Sequence, residues 1–303
     1  MSSLRSSVPP LYPVAAILAT TLGLHGYRKG SLSSSGAVAA FVVGYGHLAN
    51  PLKVFGVTLI GMYVLGSRAT KVKVDIKAKL EDGPDPLKPS GNRNWIQVLS
   101  SSLPGLIAAL AYRFGPAAAL DKASVVVALH PLSRPLIYAS LGLNATILAD
   151  TLASELGILS SSPPLYLPTL RPCPPGTNGG VSLLGLGTSL LGGGVIGLIM
   201  VGDLLIESGG VGKEGWKWAG EMLGLGMGLG LSGSLLDSLL GAFLQPTYYS
   251  TSTKRILTDS SRTPHTSPDV KRIGYGIDLL SNSGVNFVCG IVLAGVGYWY
   301  GSL

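Results

Sequence analysis

The sequence predicts an all-α fold, a polytopic helical membrane protein of about eight transmembrane helices within a range of six to nine. Three observations carry that prediction. Only 12% of the 303 residues are charged and 47% are hydrophobic, whereas soluble globular chains carry about 25% charged residues. There is too little polar material here to cover a water-facing surface, which excludes a soluble domain with a large core. Apolar runs recur along the chain between charged or Pro-rich breaks, and a membrane helix needs roughly 17–25 mostly apolar residues. The basic residues, finally, gather in alternate connections, as the positive-inside rule requires.

In chain order the spans are expected near residues 10–26, 36–49, 52–67, 97–114, 134–157, 181–205, 219–244 and 284–301. The first follows a single Arg5 and has no small-residue cleavage site behind it, so it reads as a span rather than a signal peptide. The second is short, and Asn50-Pro51 after it allows a re-entrant hairpin with the third. The third runs into a lysine-rich loop, and a Gly/Pro-rich turn region separates that loop from the fourth. The fifth contains the polar stretch ILADTLASELGIL, the sixth opens with glycines, the seventh carries Asp237, and the eighth follows Asp278.

Eight spans with both termini outside put Arg28, Lys29, Arg68, Lys71, Lys73, Lys77, Lys79, Lys88, Arg93, Arg171, Lys254, Arg255, Arg262, Lys271 and Arg272 inside, fifteen of the 22 basic residues. The inner loops are then 67–96, 158–180 and 245–283, besides the short first turn. None has the apolar content for a core of its own, so residues 1–303 are expected to form a single integral membrane domain. The net charge of +7 sits mostly on that face, where anionic lipid heads or polyphosphates fit better than nucleic acid. Cys173 and Cys289 form no disulfide framework and have no metal-ligand spacing. MSSLRSSVPP is no clear transit peptide, which favours an endomembrane such as the endoplasmic reticulum. NATILADTLASELGIL and LSGSLLDSLLGAFL echo each other weakly, as do KGSLSSSGAVAAFVVG and GGVSLLGLGTSLLGGG, a hint of internal duplication.

An ionisable group at membrane depth costs about 2.5–3.5 kcal/mol or more and is a functional-site hypothesis by default. At about 100° per residue, Ser154, Thr151, Asn144 and Glu155 all fall within about 140° of Asp150, leaving leucines and alanines on the opposite arc. That polar stripe faces something other than lipid. Asp237 is the carboxylate expected to face the same space, with Asp278 near the inner surface. Such carboxylates cannot all ionise together in low dielectric without a compensating cation, and Asp150, Glu155 and Asp237 with neighbouring hydroxyls are hard ligands that suit Mg²⁺. Interhelical hydrogen bonding competes with this reading, most strongly for Asp203 and Asp278.

PPGTNGGVSLLG, residues 174–185, ends an inner loop and opens a helix. Asn178, Gly179, Gly180 and Ser182 could offer donors to an anion at that helix N-terminus. It is not a Walker A loop, and helix packing through small residues explains it equally well. GYRKGSLSSSGA repeats the theme with Lys29, a phosphate ligand or only a membrane anchor. Lys71 and Lys254 are further inner-face candidates.

Taken together, GYRKGSLSSSGAVAAFVVG, RATKVKVDIKAKLEDG, RNWIQVL, ADTLASELG, PPGTNGGVSLLG, DSLLGA with TYYSTSTKRI, and DLLSNSGVNF resemble the transmembrane protein 19 family of integral membrane proteins, which includes the plant phytyl-phosphate kinase. The resemblance runs from about Gly26 to the C-terminus. It implies a membrane kinase that adds a phosphate to a prenyl monophosphate to give the diphosphate, with a nucleoside triphosphate, CTP in the first instance, as donor. Asp150, Glu155 and Asp237 would then hold Mg²⁺, Asn178, Gly179, Gly180 and Ser182 would cradle a phosphate, and Lys29 or Lys71 would neutralise charge. The chain departs from the expected family pattern at Ser100-Ser101-Ser102, where an asparagine is expected. The competing readings are an ion- or proton-coupled transporter using the same carboxylates and a non-catalytic lipid-binding scaffold.

Overall fold

The computed structural model describes residues 11–77, 79–82, 92–120, 127–213, 215–258, 261 and 263–303. The first ten residues, Lys88 and Arg262 therefore lie outside the described part. The helices are α1 (Pro13–Arg28), α2 (Ser34–Leu48), α3 (Val54–Ala69), α4 (Val74–Lys77), α5 (Trp95–Ser100), α6 (Leu103–Phe114), α7 (Arg134–Gly157), α8 (Leu183–Ser208), α9 (Lys217–Leu244) and α10 (Asn282–Ser302). Each expected span falls on helix. The count of eight crossings does not follow, however: α7, α8, α9 and α10, with 24, 26, 28 and 21 residues, are the described helices long and apolar enough to cross a membrane. The others are shorter, with 16 residues in α1, 15 in α2, 16 in α3 and 12 in α6.

The fourth expected span is broken for a local reason. Ser101 Oγ donates to Gln97 O at 3.0 Å and Ser102 Oγ to Val98 O at 2.6 Å, and Pro104, at the second position of α6, has no N–H to continue the ladder. The turn between α2 and α3 is anchored rather than loose. Asn50 Nδ2 donates to Ala109 O at 2.7 Å and its Oδ1 accepts from Leu52 N at 3.1 Å.

α7 is the central helix, buried from Ile137 to Ala149 and enclosed by α3, α6, α8, α9 and α10. Its neighbours come close because glycines allow it. A Cβ on Gly142 would lie 2.1 Å from Leu293 O on α10, and one on Gly193 of α8 would lie 2.1 Å from Gly226 O on α9. Leu183, Leu191, Leu198 and Ile206 stay exposed along α8, the stripe that lipid would cover. At the end remote from the basic loops, Arg134 Nη2 meets Glu221 Oε1 at 2.7 Å and ties α7 to α9.

The fold is not purely α. Among the described residues the basic loops contain short strands β1 (Glu81–Asp82), β2 (Leu165–Tyr166), β3 (Arg171–Pro172), β4 (Gly180–Val181), β5 (Thr247–Ser250), β6 (Arg255–Leu257) and β7 (Val270–Ile273). They form a four-stranded sheet in the order β1-β6-β5-β7 and a three-stranded one in the order β3-β2-β4. β-Branched and aromatic residues in TYYS supply the propensity, but the pairing is long-range: Glu81 lies opposite Ile256 and Tyr248 opposite both Leu257 and Arg272.

These contacts join the four connections expected at the inner face into one cap. Leu32 bridges Arg93, β1 pairs with β6, and Asn178 Nδ2 donates to Pro246 O at 3.0 Å. Tyr166 OH donates to Ala242 O at 3.0 Å and accepts from Tyr275 N at 2.8 Å.

Candidate functional site

Where the cap meets the ends of α7 and α9 there is a cavity of about 690 Å³, within the usual range of ligand sites, about 300–1,000 Å³. α7 delivers Asp150 to its wall and α9 delivers Asp237. Ser234, one turn before Asp237, lines the same cavity beside the two carboxylates, whose like charges oppose each other there. Asp237 Oδ2 is buried with no hydrogen-bond partner. A buried carboxylate oxygen without a donor, beside a second carboxylate, is unfavourable unless a cation or a proton compensates.

Glu155 does something else. Its Oε2 accepts from Lys77 Nζ at 2.5 Å, and that ammonium also donates to Thr70 O at 2.9 Å. The pair fastens the loop after α3 to the end of α7, and Glu155 does not line the cavity. Among the described residues no group of three or more His, Cys, Asp or Glu is placed to hold a metal. The donor set is therefore two carboxylates. That still fits Mg²⁺, which is usually held by one or two carboxylates together with waters and substrate phosphates.

Glu81, which the sequence reading passed over, also lines the cavity. Burial first, and then the negative charge of Glu155, push its carboxyl above the ordinary glutamate range, with Lys77 opposing. It lies against the 174–180 turn, where Gly176 adopts φ +85° and a Cβ would come 2.8 Å from Glu81 Oε1. Its place depends on the parallel pairing of β1 with a strand far along the chain, and no local signal carries that.

The glycine turn is built, but its donors are partly spent. Asn178 N donates to Thr247 Oγ1 at 3.2 Å and Gly180 N to Thr177 O at 2.8 Å. Gly179 has φ +85°, and a Cβ there would meet Ala242 Cβ at 2.4 Å. Ser182 caps α8, accepting from Gly185 N at 3.0 Å and donating to Gly157 O at 3.0 Å. Asn178, Gly179, Gly180 and Ser182 do all line the cavity, chiefly as the wall that seats α8. A second helix start lies there too, since Ser281, Asn282 and Ser283 of α10 line the same space with Asp278, and Ser281 Oγ accepts from Gly284 N at 3.3 Å. Each helix start leaves N–H groups unbonded within the helix and carries partial positive charge.

Lys29, Lys71 and Lys254 are exposed, and none of the three lines the cavity. Cys289 is buried in α10, and Cys173 lines a smaller cavity of about 370 Å³, where burial pushes its thiol up, away from reactive thiolate character.

A family model described as integral membrane protein DUF92 matches residues 17–294. Protein PGR of Arabidopsis thaliana is 31% identical over 274 residues, which cover 90% of this chain and 90% of that protein. An uncharacterized membrane protein of Methanocaldococcus jannaschii is 31% identical over 104 residues, covering 33% of this chain and 37% of its own. No solved structure matches the chain.

Proposed function

The chain belongs to the integral membrane protein DUF92 family, among the relatives of transmembrane protein 19, and on that premise we propose that it is a membrane-embedded prenyl-phosphate kinase. It transfers the terminal phosphoryl group of a nucleoside triphosphate, CTP in the first instance, to a phytyl-phosphate-like prenyl monophosphate. The observation that carries the reading is the cavity at the membrane–cap junction, whose lining combines the carboxylates Asp150 and Asp237 with the starts of α8 and α10. Acidic and anion-attracting groups in one space suit a phosphate chain accompanied by a divalent cation.

Phosphoryl transfer asks the protein mainly for positioning and electrostatic stabilisation. Asp150 and Asp237 would hold Mg²⁺, which when bound would neutralise charge on the phosphates. The helix starts at Ser182 and Ser281 attract the same phosphates. An oxygen of the prenyl phosphate forms the new P–O bond, the bond between the donor's terminal phosphorus and its bridging oxygen breaks, and a nucleoside diphosphate leaves. The attacking oxygen is already ionised, so no strong general base is needed. The prenyl tail lies between helices and the head reaches the cap, which on this reading faces the cytosol from an endomembrane such as the endoplasmic reticulum.

Asn144 supports a second reading as an ion- or proton-coupled transporter, because its Oδ1 is buried midway along α7 without a partner. Equilibrium binding of CTP with and without Mg²⁺ to purified protein separates the two. The kinase reading expects Mg²⁺-dependent binding that Asp150→Asn abolishes; wild type that binds no nucleotide returns the carboxylates to a transport role.

A further inference from the structure

Successive residues of β5 turn to different cavities, as strand alternation requires. Tyr249 of β5 points to the smaller cavity of about 370 Å³ together with Ile273. Tyr248, one residue earlier, lines the larger cavity instead, and so do Leu257, its partner on β6, and the neighbouring Ile256. His265, from the connection between β6 and β7, lies against Tyr248 with ring centroids 4.2 Å apart and 20° between the planes, and it lines the same cavity. Tyr248 is half-buried and His265 exposed, so the pair forms a flat wall with one open side. Among the described residues lining that cavity, no other carries an aromatic ring. The rest of the lining is rich in serine, glycine and carboxylate, which suits phosphate and metal, and its apolar part is aliphatic, such as Leu235 and Leu280, with no ring on which a base could stack.

The geometry points to a nucleobase subsite at the Tyr248–His265 wall, which holds the base of the donor by stacking while its phosphates reach toward Asp150 and Asp237. The inference rests on the kinase reading of this cavity and adds which residues recognise the donor and by what chemistry. The division of labour follows from the lining. A base has a π-face and needs a flat partner, whereas a prenyl chain needs the lipid-side helices. The base is thereby held on the water side of the cavity. Stacking tolerates different bases, so this wall gives a nucleoside triphosphate an advantage over bare polyphosphate without requiring one particular base.

The test is calorimetric binding of two probes, CTP and inorganic tripolyphosphate, each with Mg²⁺, to full-length protein in detergent. Wild type is compared with Tyr248→Ala, His265→Ala and Tyr248→Phe. The expected result is CTP binding weakened about tenfold or more in each alanine variant, tripolyphosphate binding unchanged, and near-normal CTP binding in Tyr248→Phe, which keeps the ring. His265 is exposed, so its variant remains informative even if Tyr248→Ala unfolds. Equal losses for both probes, or undiminished CTP binding in His265→Ala, would overturn the subsite. If wild type binds both probes equally the base adds nothing, and the subsite alone falls. If it binds neither, the kinase reading falls with it.

Discussion

On the proposed reading, Asp237 is the residue that most directly serves function at the expense of stability. Its buried Oδ2 has no donor and its neighbour is Asp150, so removing either charge relieves repulsion. Asp150→Asn and Asp237→Asn should each lower phosphoryl transfer on the order of 10²-fold or more, while leaving thermal stability in detergent unchanged or raised. A parallel loss of stability and activity would make the carboxylates structural. Glu81 has a signature of its own. Its carboxyl is raised by burial and by Glu155, so above the ordinary glutamate pKa the folded state binds more protons than the unfolded one, and stability falls as pH rises through that window. The melting temperature of Glu81→Gln should therefore gain on wild type between acid and neutral pH; a constant offset would contradict this. Asp150 and Asp237 were legible in the sequence because charge inside an apolar run stands out. Glu155 shares the helical stripe of Asp150, but Lys77 takes it for an ion pair, a partner that periodicity on one helix does not reveal.

At the scale of elements, the long helices were legible from apolar length, and the break between α5 and α6 was not, because Ser101, Ser102 and Pro104 act through local backbone competition inside an otherwise apolar run. The strands escaped for a different reason. They are two to four residues long in polar loops, and their pairing spans distant parts of the chain. The latch between those parts can be measured. A double-mutant cycle on Lys77→Met and Glu155→Gln should give a coupling of about 1–3 kcal/mol for this partly buried pair, and zero coupling would mean the pair does not hold the loop. Helix contact has an equally local test. Gly193→Ala puts a methyl against Gly226 O and should destabilise the protein by about 1–3 kcal/mol in a reversible unfolding assay; an unchanged melt would show that α8 and α9 are not pressed together there.

For the molecule as a whole, alternating charge identified four connections as sharing one side, and in the structure those connections meet as a cap over one end of the helices. Sidedness is the corresponding prediction. Single cysteines at Lys73 and Lys254 should label with an impermeant thiol reagent from the same side of sealed vesicles, and one at Lys217, at the start of α9, from the other. Labelling of all three from one side would contradict the crossing pattern. The central claim, that the cavity between helices and cap transfers a phosphoryl group, is tested most directly by incubating purified protein with terminally labelled CTP, Mg²⁺ and geranylgeranyl- or phytyl-phosphate, beside Asp150→Ala. The account predicts labelled prenyl diphosphate from wild type and none above background from the variant. Folded wild-type protein that yields no diphosphate from either lipid, or a variant as active as wild type, would contradict it.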